Sequence, residues 1–256
     1  MSDELVRERR GAVLVARLNR PDARNALSPE IIRGISAAVV DAETDAEIRA
    51  VVLTGTGDKA FCAGMDLRAF AAGGETSLDE DASRGFFRLL EGDVGVPVVG
   101  AANATAVAGG FELLLGCDMI VASSEAEFGL PEVKRGLFPA GNGTSLGTRI
   151  PLAVALEMAL TGDAITAARA HDLGLVNAVV PPDEVMPRAV ALADRIAANG
   201  PLGVKAVKEL VRMSISDPAR ALDRRREWQE IVFASEDAKE GATAFVEKRA
   251  PVWKGR

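Results

Sequence analysis

VAGGFELLLGCDMIVA, residues 107–122, changes character twice within one short stretch. Gly109 and Gly110 open a strongly apolar helix over 111–117, and a strand rich in β-branched residues follows at 119–122. The paired glycines leave unpaired N–H groups and the positive end of the helix dipole beside whatever lies in front of them. Glu112 sits one or two residues inside that helix, flanked by Phe111 and by Leu113, Leu114 and Leu115. A carboxylate in such surroundings needs a partner or a function, because burying it uncompensated is costly. A capping role in the first helical turn is the alternative.

Working outward, the same alternation recurs. AVLVARL (12–18), AVVLT (50–54) and residues 96–101 read as strands, the last followed by small residues that let backbones approach closely. Ser28-Pro29-Glu30 starts a helix, with Ser as N-cap and Pro at the first helical position; Ile31, Ile32, Ile35 and Val39 carry it to about Asp45. The first 130 residues therefore predict α/β layering. After Pro139 the segments 151–161, 166–173, 182–199, 201–213 and 218–235 show helical periodicity, broken by one strand, LVNAVV (175–180). The seam falls at Asn199-Gly200-Pro201. It divides the chain into a core over 1–199 and a helical module over 200–256, with Leu202, Val204, Val207, Leu210 and Val211 along one helix face. That apolar stripe calls for packing against the chain's own core or a neighbouring subunit.

The chain has 256 residues, with 30 Lys+Arg against 37 Asp+Glu and a formal charge of −7. Such a balance argues against a general nucleic-acid binder, which depends on cations displacing counterions from phosphates. One histidine, His171, and two separated cysteines, Cys62 and Cys117, offer no metal-ligand spacing. The cysteines read as free buried thiols in a reducing compartment. MSDELVRERR lacks a secretory h-region, and the uncharged stretch 94–110 is broken by Pro97, Asn103 and repeated small residues. A cytoplasmic protein without membrane contact is expected.

Other motifs could carry chemistry. TGTGDKA (54–60) follows a strand but opens no long helix, so a turn explains it better than a dinucleotide fingerprint. FCAGMDL (61–67) has Ala63 and Gly64 for a tight turn, with Asp66 able to cap a short helix. The turn either aims N–H groups at a developing oxyanion or simply precedes that helix. FGLPEV (128–133) places Glu132 at a Pro-initiated helix start, 20 positions after Glu112. Two carboxylates in one apolar space would titrate apart, which suits acid–base work on an uncharged substrate; compensation of a helix dipole is the plainer role. Asn142, in PAGNGTS, could touch a substrate or occupy a left-handed turn. His171 reads as a surface or capping residue.

Taken in order, FCAGMDL, AGGFELLLGCD (108–118), FGLPEVKRGLFPAG (128–141) and EGATAFVEKRAPVWKGR (240–256) resemble the crotonase superfamily, the enoyl-CoA hydratase/isomerase family. The resemblance runs from RPDARNALS (20–28) to the last helix. It implies a spiral of repeated ββα units followed by a helical module used in trimer contacts, with a hexamer as a dimer of trimers. It also implies an acyl-CoA thioester substrate, with no metal or redox cofactor, and an enolate held by the main-chain N–H groups of Met65 and Gly109. Most relatives carry a smaller residue where Met65 stands, so its side chain should reshape the pocket wall rather than abolish the hole. Glu112 and Glu132 match the two glutamates that hold a water in the hydratases, Glu112 as base and Glu132 as proton donor. Isomerases usually keep only the second of these. CoA contacts are implied for Arg24, Ala26, Ala63, Asp66 and Leu67, and for Phe245 and Lys248, the last two often reaching a neighbouring subunit's site. The tail also resembles the carnitinyl-CoA dehydratase branch. A double-bond isomerase and a catalytically idle acyl-CoA- or RNA-binding homologue are the remaining alternatives.

Overall fold

Runs of β-branched residues pair into a largely parallel sheet in the computed structural model, which describes residues 4–72 and 79–256. Among these residues the strands are β1 (Leu5–Arg10), β2 (Val13–Leu18), β3 (Ala50–Gly55), β4 (Val98–Ala102), β5 (Ala106–Val107), β6 (Met119–Ser123), β7 (Glu127–Gly129), β8 (Ile165–Thr166) and β9 (Ala178–Val180). One sheet has the order β1-β2-β3-β4-β6-β9, with β1 antiparallel to β2 and the others parallel. A second, small sheet has the order β5-β7-β8.

The helices are α1 (Pro29–Thr44), α2 (Leu67–Ala71), α3 (Glu80–Glu91), α4 (Gly109–Gly116), α5 (Leu152–Thr161), α6 (Ala167–Asp172), α7 (Val185–Ala197), α8 (Pro201–Ser216), α9 (Pro218–Ala234) and α10 (Glu236–Glu247). Ser28 caps α1 as expected, its side chain accepting from the Ile31 N–H at 3.2 Å. One face of the large sheet packs on α1, α3 and α4 through Ile31, Ile35, Phe86, Leu89 and Leu114; the other packs on α7 through Val185, Ala189 and Ala193. Burial on both faces explains why β3 is apolar along its length instead of alternating.

The structure departs from the sequence reading at several points. LVRERR forms an edge strand, β1, although most of it is exposed and charged. Charged α3 also forms, burying Phe86, Leu89 and Leu90 on one side. The strand expected over 175–180 is confined to β9, because the Leu175 N–H turns back to the Ala170 carbonyl at 2.9 Å. β8 adds a second break in the helical run. Pro131–Arg135 is a 3-10 turn rather than an α-helix. At the seam, Pro201 does begin α8, but Lys208 and Arg212 of that helix both bind Asp118 at the foot of β6, at 2.7 and 2.9 Å. The stripe on α8 stays open in one chain, with Val207 62% and Val211 59% exposed.

Candidate active site

The FCAGMDL turn is stitched between two other segments. The Ala63 N–H donates to the Arg24 carbonyl, the Leu27 N–H to Gly64, and the Val107 N–H to Cys62. Gly64 has φ +81°, and a Cβ there would lie 2.6 Å from the Ala108 Cβ and 3.1 Å from the Gly109 nitrogen. Only glycine permits this approach, and it sets Met65 beside the start of α4. Ala108, the N-cap of α4, has φ 53° and ψ −133°, a region that side-chain-bearing residues avoid. Backbone strain of this kind costs roughly 1–3 kcal/mol and persists only where surrounding contacts impose it. Here it turns the chain so that α4 begins at Gly109.

Glu112 is the fourth residue of α4 and is 5% exposed. It does not cap its own helix. Its Oε1 accepts two hydrogen bonds from another segment, the N–H groups of Gly141 and Gly143, each at 2.9 Å. A Cβ on Gly141 would press to within 2.9 Å of the carboxylate, and one on Gly143 to within 3.0 Å. Burial pushes the Glu112 carboxyl above its ordinary range, and the two N–H groups pull it part of the way back. Its Oε2 faces Gly109, 3.9 Å from where a Cβ on that glycine would stand.

Glu132 sits in the 3-10 turn with one carboxylate oxygen, Oε2, buried and without a hydrogen-bond partner. Burial raises its pKa first. Its own backbone N–H lowers it, the Glu112 charge raises it further, and Arg135 opposes that rise. The two carboxylates thus share one electrostatic space but differ in support: donors favour the ionised form of Glu112, while Glu132 has a buried oxygen that favours the proton.

The segment carrying Arg24 and Ala26 is held by groups the sequence reading passed over. Arg24 and Asn25 both have left-handed backbones, with φ 52° and 53°. The Asn25 side chain is fully buried; its Oδ1 accepts from the Arg20 N–H, and its Nδ2 donates to the Thr56 and Ala60 carbonyls. Arg20 donates to the Ala26 carbonyl at 2.9 Å and pairs with Glu4 and Asp66. Asp66 also accepts from the Arg68 N–H at the start of α2, as expected of a cap. Arg24 and Leu67 are exposed, Ala63 is half-buried and Ala26 is buried. Phe245 and Lys248 lie at the end of α10, both exposed, the ring at 86%. Among the described residues nothing covers that ring. His171 is exposed, as anticipated.

Asn142 has φ −94° and ψ 7°, which removes the left-handed reading. Its side chain meets Ser145. A cavity of about 960 Å³ lies away from both glutamates, along Leu202, Val207 and Val211 of α8 opposite Ala238 and Trp253. Among the described residues no cluster of His, Cys, Asp and Glu could hold a metal, and no helix is long and apolar enough to cross a membrane.

The Enoyl-CoA hydratase/isomerase family profile matches residues 8–256. The chain is 42% identical to enoyl-CoA hydratase EchA19 of Mycobacterium tuberculosis, over 99% of this chain and 97% of that protein. It is 40% identical to carnitinyl-CoA dehydratase of Proteus mirabilis, over the full length of both. Its fold superposes on the crystal structure of an enoyl-CoA hydratase from Mycobacterium tuberculosis H37Rv with a TM-score of 0.91 and 41% identity, covering all of both chains.

Proposed function

The chain belongs to the enoyl-CoA hydratase/isomerase family, and from that premise we propose that it hydrates a 2-enoyl-CoA thioester or catalyses the reverse dehydration. The observation that carries this reading is the pair of carboxylates, Glu112 and Glu132, in one electrostatic space beside the start of α4. The thioester carbonyl lies against the N–H groups of Met65 and Gly109, which hold the negative oxygen of the enolate. The Glu112 carboxylate takes a proton from water as the water oxygen bonds to C3. The Glu132 carboxyl delivers its proton to C2, so water adds across the double bond. The division of labour follows the support of each group: two N–H donors favour an ionised Glu112, and an unpartnered buried oxygen favours a protonated Glu132. The pair shares protons and titrates as a unit.

CoA lies along Arg24, Ala26, Ala63, Asp66 and Leu67. Phe245 and Lys248 serve its nucleotide end from the neighbouring subunit, Lys248 as a point charge for phosphate. The exposure of Phe245 and of the α8 stripe supports a trimer, or a hexamer made of two, with residues 200–256 at the contacts. A single monomeric species at micromolar concentration, in sizing with light scattering, would count against that assembly. No metal or redox cofactor takes part; activity lost to a chelator and restored by a divalent cation would overturn this. We place the protein in the cytoplasm.

Likeness to carnitinyl-CoA dehydratase favours a second reading, the dehydration of a specialised 3-hydroxyacyl-CoA with the same two glutamates. A screen of 2-enoyl- and 3-hydroxyacyl-CoAs of different chain length separates the two. Glu112→Gln and Glu132→Gln are each expected to lower hydration by at least ~10²-fold with little loss of thioester binding. Near-wild-type hydration by Glu112→Gln would remove that residue as the base, and a severe loss confined to Glu132→Gln would mark an isomerase. Acyl-CoA bound without turnover, or RNA bound at physiological salt, would mark an idle binding homologue.

A further inference from the structure

The two N–H groups that hold Glu112 Oε1 flank a single residue, Asn142. The peptide unit that joins it to Gly143 is not free to turn. Ser145 Oγ lies 2.7 Å from the Asn142 carbonyl oxygen and also meets its Oδ1, while the Ser145 N–H donates to the same carbonyl at 3.1 Å. One side chain and one hydroxyl thereby close a small ring around the segment 141–145. On its far side, Asn142 and Ser145 line a charged cavity of about 650 Å³ together with Arg149, Lys208 and Arg212. We propose that Asn142 and Ser145 are positioning residues for the hydration: their mutual hydrogen bonds fix the Asn142–Gly143 peptide plane, which aims the Gly143 N–H at Glu112 Oε1 beside the Gly141 N–H, and so set the direction of its other oxygen.

The physical case rests on geometry. A carboxylate on an apolar helix has few local donors, so its orientation is decided by the loop that reaches it. Gly141 and Gly143 carry no side chains that could brace that loop, and a Cβ on either would collide with the carboxylate. The bracing falls to the residue between them and its partner three positions on. Small misplacements of a reacting group cost rate without costing affinity, because most of the thioester is bound elsewhere. Glu132 is the charged group that faces Glu112, and Arg135 faces Glu132 in turn. Neither contacts the Asn142–Ser145 ring through a hydrogen bond among the described residues.

The inference rests on the hydratase reading for its catalytic part, so its test has an arm that needs no turnover. Wild type, Ser145→Ala, Ser145→Thr and Asn142→Ala are compared for kcat, KM and the pH dependence of hydration. The Glu112 carboxyl is followed separately by carbon-13 NMR, assigned through Glu112→Gln. Ser145→Ala and Asn142→Ala are expected to lower kcat about tenfold, with KM within about twofold, a smaller loss than removal of an acid–base group. With the Gly143 donor loosened, Glu112 should ionise at higher pH, moving both its NMR titration and the acid limb of the rate profile upward. Ser145→Thr, which keeps the hydroxyl, should restore both. A Glu112 titration unchanged in Ser145→Ala, or a threonine variant no better than alanine, overturns the proposal. A wild-type protein that hydrates no 2-enoyl-CoA, yet whose Glu112 titration moves in Ser145→Ala and returns in Ser145→Thr, would fail the functional reading while upholding the ring as the device that holds Glu112.

Discussion

Gly64 and Ala108 are packed so closely that a Cβ on the glycine would stand 2.6 Å from the alanine Cβ, and both have positive φ, at 81° and 53°. This contact joins the FCAGMDL turn to the start of α4, and so fixes the spacing of the Met65 and Gly109 N–H groups. The separation of the two proposed oxyanion donors is decided by two small residues, neither of which offers a side-chain functional group.

Opposite outcomes are expected for exchanging these residues. Gly64→Ala forces a side chain into both a left-handed backbone and an occupied space, so it should destabilise the fold by about 2 kcal/mol or more and depress hydration. Ala108→Gly relieves a backbone that alanine avoids, at roughly 1–3 kcal/mol, against an unfolded-state entropy cost of about 0.4–1 kcal/mol. Its net effect should be mild stabilisation with activity retained. Urea unfolding of both variants checks this. An Ala108→Gly protein clearly weaker than wild type would show that the alanine methyl contributes more packing than its backbone costs.

Legibility in the sequence followed burial and locality. β3 and α4 were readable because each is a mostly apolar run that the fold buries almost completely. Glu112 and Glu132 stood out for the same reason, as carboxylates among leucines and beside a proline. β1 was not readable: an exposed edge strand has no apolar period to betray it. The fork on Glu112 was hidden differently, because Gly141 and Gly143 meet it across 29 and 31 positions of chain. Glycine before and after Asn142 was the available hint. Asn25 was equally silent, since a polar residue in DARNAL looks like any turn residue until the three backbone partners of its side chain are seen.

Cys62 and Cys117 should be inert in the native protein. Both are fully buried, and burial pushes each thiol up to about 12, so almost no thiolate exists at pH 8. A thiol reagent in slight excess should label neither residue over an hour under native conditions, and both within minutes in denaturant. Rapid native labelling of either would mean that the core around α4 opens far more often than its packing implies.

Asp118 ties α8 to the sheet and should be costly to change. Its carboxylate takes Lys208 and Arg212 together with the Val98 N–H, with Lys208 10% and Asp118 14% exposed at the side chain. Asp118→Asn leaves two cations facing a neutral group in a poorly hydrated place, so a loss of about 3 kcal/mol is expected. The largely exposed pair Arg84–Asp81 supplies the control, and Asp81→Asn should leave the unfolding midpoint nearly unchanged. Equal behaviour of the two variants would show that the Asp118 cluster is as well solvated as a surface pair.

Glu132→Gln should separate catalysis from stability. Burial, reinforced by the Glu112 charge, raises the Glu132 carboxyl above its ordinary value near 4.5 in the folded state. A raised folded pKa means that the folded protein holds this proton more tightly than the unfolded chain does. The associated stability is therefore complete below the ordinary value and is lost as pH climbs through the folded one. Above that point the wild-type protein carries a charge on a group whose Oε2 has no partner. Glutamine keeps the size of the side chain and never ionises. The variant should consequently melt at a higher temperature than wild type at pH 8, with the advantage shrinking steadily toward pH 5, while its hydration rate falls at least ~10²-fold across the range. Thermal unfolding of the two proteins from pH 5 to 8.5 reads the difference directly. A variant whose melting temperature tracks wild type at every pH would mean that Glu132 is charged at no cost in the folded state, and the proton-donor role would lose its physical basis.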